Sequence, residues 1–478
     1  MTASVNQVLY SSDHWAKLFS AQRLGSNKKA PAQDSARSSF HKDYDRLVFS
    51  HSFRQLNQKT QVHPLTNQLG IHTRLTHSLE VSCIGRSLGI MAAEKLHDKL
   101  DGGLPNGVAP ADVGVIVQAA CLAHDIGNPP FGHAGEYAIR DWFMHPDRQK
   151  VLQNLNSNEQ LDLLAYEGNA QGFRILARNE HHPDLGGMRL TCATLGAFMK
   201  YPWLATHSNG VYQDIPIYQA NHTTSMQKFG CFYSEAAQLE ELAACLHLPR
   251  SEQHDGFARH PLAYLLEAAD DICYALIDLE DGINLNMLSY AEVAAIFYEL
   301  IGERPDTLNL PTHVSVRQHL ASLRARAMMR LVNAVTDAFV VNSDAMLAGT
   351  LQGSLFAHCD ATVQSGINQA KQLAREKIFN HPSKVRMELM ANQCLQRLLD
   401  AFMPLAWTNE TSTSMTQMSF EQQRLLKLLQ PHLDEHRRVL SDDTYDNMLN
   451  VLDFITGMND HEAYRLAQEL QGHWGTIV

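Results

Sequence analysis

The sequence predicts an all-α protein. Apolar residues recur with the 3.6-residue period of a helix along most of the chain, strand-like alternation is scarce, and compact Gly/Pro/Asp turn signals separate the periodic stretches. With 478 residues and 45% hydrophobic side chains, the chain can bury a large core, enough for about two to four domains or one large helical one.

Taken in order, residues 1–40 are polar and irregular, with GSNKKAPAQDSARSS reading as a flexible segment. The period then predicts helices over 74–99, 111–124, 133–143, 169–179, 234–247 and 261–279. Further helices follow over 290–302, 314–347, 361–378, 384–402 and 420–430. DGGLPNG at 101–107, GNPPFG at 127–132, HHPDLGG at 181–187 and ERPDTLNLP at 303–311 supply the turns between them. Near 285 the His- and Asp-rich half gives way to long amphipathic helices, which suggests a core over 41–285 and a C-terminal helical region over 286–478 packed on it. There is no internal repeat and no low-complexity tract.

A formal net charge of -12 argues against a surface that coats nucleic acid, so an anionic ligand must be met by a local cluster of cations or by a metal. Eight cysteines without a C-x-x-C pair, several inside apolar runs, read as buried thiols in a reducing compartment rather than a disulfide frame or zinc site. No signal-peptide pattern opens the chain, and no apolar run reaches the length of about 18 residues that a membrane span needs. The expected setting is the cytoplasm, with no membrane partner.

The stretch CLAHDIGNPPFGHAGE at 121–136 leaves an apolar helix and presents His124, Asp125, His133 and Glu136 in quick succession. In RLTHSLEV at 74–81, Arg74 and His77 stand three apart on one helix face. In EAADDICYALIDLEDG at 267–282, Asp270, Tyr274 and Asp278 fall at i, i+4 and i+8 of an otherwise apolar helix. Any one of these alone reads more readily as a hydrogen-bonded core residue or a solvated face. Three helices that each carry a polar residue on an apolar side can bury them together only if the charges are neutralised. One divalent cation held by His77, His124, Asp125 and Asp270 achieves that.

These motifs, with EGNAQG at 167–172, resemble in content and order the HD-domain metal-dependent phosphohydrolases, and within them the bacterial deoxyguanosinetriphosphate triphosphohydrolases. The resemblance runs from FRQLNQKTQV at 53–62 to GMND at 457–460. It implies a helical HD-domain phosphohydrolase core with an additional C-terminal helical layer. It implies hydrolysis of dGTP, or of other dNTPs, to the deoxynucleoside and inorganic triphosphate, with one Mg²⁺ or Mn²⁺ per subunit. Of the consecutive aspartates, it selects Asp270 over Asp271. One departure stands out: many HD phosphohydrolases have a histidine three residues after the HD aspartate, where this chain has Asn128. The acid–base work therefore falls to His133, with Glu136 one turn on to orient it; the alternative for Glu136 is a charge that merely suits a helix N-terminus.

A triphosphate needs more positive charge than one metal supplies. Arg74, Lys200 with its neighbour Tyr201, and Lys228 match basic positions of the family, and Asn169 adds a neutral donor. Tyr274, one turn beyond Asp270, should lie under the pentose and exclude a 2′-hydroxyl, with Asp278 a turn further; the resemblance puts Gln61 near the 3′-hydroxyl. Glu388 and Arg424 fall where family members contribute side chains to the base, in some cases from a neighbouring subunit, and suit the edges of guanine. Family members form homo-oligomers, hexamers among them, and some take single-stranded DNA as an effector. Two other readings are a related HD phosphohydrolase, either a broad dNTPase or a 5′-nucleotidase, and an inactive nucleotide- or single-stranded-DNA-binding regulator. The cation count argues against the nucleotidase, and the retained His133 and Glu136 argue against the regulator.

Overall fold

A computed structural model describes residues 12–25, 37–60, 72–100, 103–180, 187–205, 228–305, 313–411, 418–432 and 440–473. Among these residues the ordered elements are helices, joined by a few isolated β-bridges such as Thr60 with Thr73. None of the helices is long and apolar enough to cross a membrane. The helices that carry the site are α1 (Arg74–Lys99), α2 (Pro110–Ala123), α3 (His133–Met144), α4 (Gly168–Arg174) and α5 (Cys192–Phe198), followed by α6 (Pro261–Asn284), α7 (Pro382–Phe402), α8 (Thr444–Gly457) and α9 (Asp460–Glu469).

Two buried apolar clusters fill the interior. The first takes in α1, α2, α5 and α6 and runs from Trp15 to Ile378. The second gathers α3 with Tyr166, Tyr201, Phe229 and Phe232, and closes on α7, α8 and α9. The first cluster runs on across residue 285, and the two clusters alternate along the chain. At the seam, Met199 belongs to the first and Tyr201 to the second, so Lys200 emerges between them.

Helix α2 is apolar all round because it is buried all round, with Val113 to Ala123 enclosed. It lies closely along α1. A Cβ on Gly89 would stand 2.9 Å from the Gly114 Cα, so only glycine permits this approach of two backbones. That closeness sets the later distance between His77 and His124.

The predicted helices are present, with altered ends. The segment expected over 314–347 is two helices, Val316–Val341 and Ser343–Leu347. They part at Asn342, whose amide donates to the Ala338 carbonyl at 2.7 Å and so competes with the helical ladder. The stretch expected over 169–179 is α4 followed by a wider turn at Ile175–Asn179. Part of the supposedly irregular 1–40 is a helix, Ser12–Leu18, with Trp15 only 1% exposed; seven residues are too few to show a period. Helix α5 escaped prediction for the same reason, since it too has only seven residues, all of them buried.

Candidate active site

Helix α1 begins where it does because the Thr73 hydroxyl accepts the Thr76 N–H at 3.3 Å. This puts Arg74 in the first turn with His77 beside it, both buried. At the end of α2, His124 Nδ1 lies 2.7 Å from the Cys121 carbonyl, which can only accept, so the imidazole donates there. Burial, more than its charged neighbours, pushes His124 towards the neutral ring. Its Nε2 then presents a lone pair, and that lone pair faces Asp125 Oδ1 at 3.5 Å and Asp270 Oδ1 at 3.6 Å. His77 Nε2 stands 3.2 Å from the same Asp270 oxygen.

Lone pairs aimed at carboxylate oxygens repel unless a cation lies between them. Ligand atoms of His77, His124 and Asp125 all lie within 4.8 Å of one another, a spacing and donor set that suit a divalent metal. Asp125 supplies the clearest sign of fit. One of its oxygens takes Arg74 Nη1 at 2.9 Å and the Asn128 amide, while the other, Oδ2, is buried with no partner among the described residues. Burial works against the Asp125 charge, but Arg74, His124 and His77 outweigh it and hold the carboxyl at about 2. Asp270 is likewise held well below the usual carboxylate range against its burial, chiefly by Lys200, whose Nζ donates to Oδ2 at 2.7 Å. Both carboxyls are thus ionised and ready for a metal.

The turn after α2 has an unusual backbone. Phe131 and Gly132 both have positive φ, 64° and 59°. At Gly132 the reason is space as well as φ, since a Cβ would meet Arg74 Nη2 at 2.3 Å. Helix α3 starts directly afterwards at His133. The His133 Nδ1 to Glu136 Oε2 distance is 2.8 Å, and Glu136 Oε1 accepts the Gly168 N–H at 2.8 Å. His133 is exposed and Glu136 buried. Burial opposes the Glu136 charge, and His133, Arg140 and Lys228 overcome it, leaving the carboxyl below its ordinary range. Glu136 does stand in the first turn of α3, where its charge suits the helix N-terminus, and it is also buried and bonded on both oxygens.

Residues 74–188 match the family model of the HD domain. A deoxyguanosinetriphosphate triphosphohydrolase-like protein of Pseudomonas aeruginosa is 44% identical over 461 residues, covering 96% of this chain and 98% of its own. The chain belongs to the deoxyguanosinetriphosphate triphosphohydrolase-like family of HD-domain proteins. A like-named protein of Synechocystis is 37% identical over 96% of this chain and 99% of its own. The deoxyguanosinetriphosphate triphosphohydrolase of Cronobacter sakazakii is 32% identical over 77% of each chain. An HD-family hydrolase fold with a His/Asp cluster suited to metal is therefore established for the chain.

The other positions suggested by this family fall into three groups. Arg74 and Lys200, expected to face phosphate, each hold a carboxylate of the cluster, Asp125 and Asp270. Lys228 sits beside buried Glu167, with its Nζ 6.0 Å from the centre of the Tyr201 ring, and Glu167 keeps it charged. Asn169 donates to Glu167 Oε1 at 2.8 Å. On α6, Tyr274 stacks against Phe379 with ring centres 5.7 Å apart and planes 8° from parallel. Asp278 is buried and pushed up to about 7, by desolvation above all. Glu388 lies on α7, 4.0 Å from Lys384. Arg424 is exposed on the helix Phe420–Leu429, with its guanidinium over the Phe420 ring at 4.8 Å, and does not join the cluster through that contact. Gln61 lies outside the described residues, as do His181 and His182.

Sequence reasoning missed several charged groups here. Glu167 joins Arg140, Asn169 and Lys228 behind the His133–Glu136 pair. His72 bridges Asp281 at 2.8 Å and Glu80 at 3.2 Å, and these bonds raise it to about 10. Lys59 is buried beneath the site and pushed down to about 7 by desolvation. Lys384, also buried, lies within electrostatic reach of Arg74 and Asp278. Lys384 shares the α7 face with Glu388, and Glu167 takes Asn169 two residues on. The partners that tie these groups to the site, such as Asp281 for His72 and the Asn128 and Thr456 carbonyls for Lys59, come by tertiary contact.

Proposed function

We propose that this chain hydrolyses a deoxynucleoside triphosphate, dGTP by preference, to the deoxynucleoside and inorganic triphosphate. The carrying observation is that His124 Nε2 faces two carboxylates beside a buried Asp125 Oδ2 that has no partner among the described residues. His77, His124, Asp125 and Asp270 would hold one Mg²⁺ or Mn²⁺. When bound, such a cation neutralises phosphoryl oxygens and makes a water more acidic.

The protein's own groups do the rest. Glu136 fixes His133 through Nδ1 and leaves Nε2 to hold or pass a proton at the leaving 5′-oxygen. Lys200, Lys228 and Arg74 place positive charge around the polyphosphate, and Asn169 and Tyr201 complete that wall. Asp278 and Gln61 are the proposed sugar contacts, and Glu388 and Arg424 the base contacts. An alternative substrate within the same chemistry, such as a broad range of dNTPs, remains a reading of the same centre. A cytoplasmic setting is supported by eight unpaired thiols. A homo-oligomer and a single-stranded DNA effector belong to the proposal by family resemblance. The deciding experiment incubates the protein with each dNTP and NTP plus Mg²⁺ or Mn²⁺ and resolves products by ³¹P NMR. Inorganic triphosphate supports the reading; pyrophosphate or phosphate as the first product overturns it.

Sugar choice gives a sharper test. Tyr274 rides one turn from Asp270 and is braced by Phe379, so the ring is held rigid enough to exclude a 2′-hydroxyl. Replacing Tyr274 with Ala should lower dGTP turnover and narrow the dGTP-to-GTP ratio of kcat/KM by at least about tenfold, the scale of one lost discriminator. Equal slowing of both substrates would assign Tyr274 to the core.

A further inference from the structure

Phe131, in the turn that leads into His133, has a positive φ. A bulky side chain at φ 64° is strained and persists only where its surroundings insist on it. The surroundings come from the far end of the chain. Asp460, 0% exposed in the first turn of α9, accepts the Phe131 N–H on Oδ1 at 2.8 Å. Its Oδ2 accepts the Thr60 N–H at 3.0 Å and the Thr60 hydroxyl at 2.6 Å. Lys59, next to Thr60, donates to the Asn128 carbonyl at 2.8 Å and to the Thr456 carbonyl at 2.7 Å. The Lys59 carbonyl in turn accepts the Arg74 N–H at 2.8 Å. One short segment at the α8–α9 junction therefore grips both the backbone leading into α1 and the turn that launches α3.

We propose that Asp460 is a positioning residue for the catalytic centre: it holds the Phe131 turn against Thr60, and thereby aims His133 at the cluster of His77, His124, Asp125 and Asp270. Lys59 is the second arm of the same clamp. The inference rests on the acid–base role proposed for His133. Asp460 suits the task because all three of its partners are donors, which only a carboxylate can satisfy on both oxygens. An amide would turn an N–H towards one of them.

The test compares Asp460→Asn, Thr60→Val and Thr60→Ser in the full chain. Thr60→Val keeps the shape and removes one of the three bonds. Asp460→Asn should lower kcat by about 10- to 100-fold, the usual range for a group that orients active-site residues, with metal stoichiometry and KM retained. Thr60→Val should lower kcat severalfold, and Thr60→Ser, which keeps the hydroxyl, should restore it. Amide exchange without substrate or metal should quicken at residues 133–137, which Asp460 does not touch. Exchange confined to residues 60 and 131, or Thr60→Val matching Thr60→Ser in both kcat and exchange, overturns the proposal. Should Asp460→Asn fail to fold, the Thr60 pair decides alone. A wild-type protein that releases no triphosphate defeats the substrate reading instead and leaves the exchange result standing.

Discussion

Asp125→Ala should yield a protein without bound metal and with triphosphate release reduced by roughly 10³-fold or more, the several kcal/mol that metal-ion charge stabilisation contributes. Two effects combine at this one position. The substitution deletes a ligand whose Oδ2 is buried and unpartnered among the described residues. It also strips Arg74 of the carboxylate 2.9 Å from Nη1, leaving a buried guanidinium beside the place where a dication must sit. Removing one member of a buried ion pair costs about 3–5 kcal/mol, so the variant should also melt earlier. Added Mn²⁺ should stabilise the wild type, by about 2.7 kcal/mol at a hundred times Kd, and leave the variant's Tm unchanged. Asp125→Asn, which keeps the volume, separates loss of the charge from loss of packing. Stoichiometric metal in the folded Ala variant, measured by elemental analysis, would show that the ligand set has been assigned to the wrong residues.

How far the site could be read in advance depended on the distance over which its residues find one another. Arg74 with His77, and His133 with Glu136, lie three apart on single helices, so their shared faces follow from the helical period. His124 and Asp125 stand out because they end an apolar run. The choice of Asp270 over Asp271 came from resemblance, and the two residues do have different surroundings: Asp270 meets His77 and Lys200, while Asp271 turns to Lys371 at 2.9 Å. By contrast, Phe131 and Asp460 are 329 residues apart, and no local pattern connects them. The same holds for His72 with Asp281. The expected phosphate cations show a different limit. Sequence could mark Arg74 and Lys200 as basic, but not that each lies against a carboxylate of the cluster. For the fold, most of the long helices were legible, buried α2 among them, whereas α5 was not, because its seven residues make only about two turns and carry no polar face to mark a phase.

The second large effect is expected at His133, where chemistry should separate from binding. His133→Ala should lower kcat by roughly 10²–10⁴-fold, the worth of general acid–base catalysis, while metal content and dNTP affinity stay near wild type. The geometry supports that separation. His133 is exposed, so its removal leaves no core cavity, and its observed partner is Glu136 rather than any residue of the His/Asp cluster. Glu136 keeps its Gly168 N–H bond in the variant, which holds α4 in place. Glu136→Gln should then show a smaller loss, because the imidazole itself remains, while the single amide oxygen can accept from Gly168 or from His133 but not from both and no longer stabilises the charged imidazole. A Glu136 variant that falls as far as His133→Ala would mean that the pair works as one unit. An unchanged kcat in His133→Ala would remove the proton-transfer role from this side chain and return the search for the acid to the groups behind it, Lys228 and Glu167.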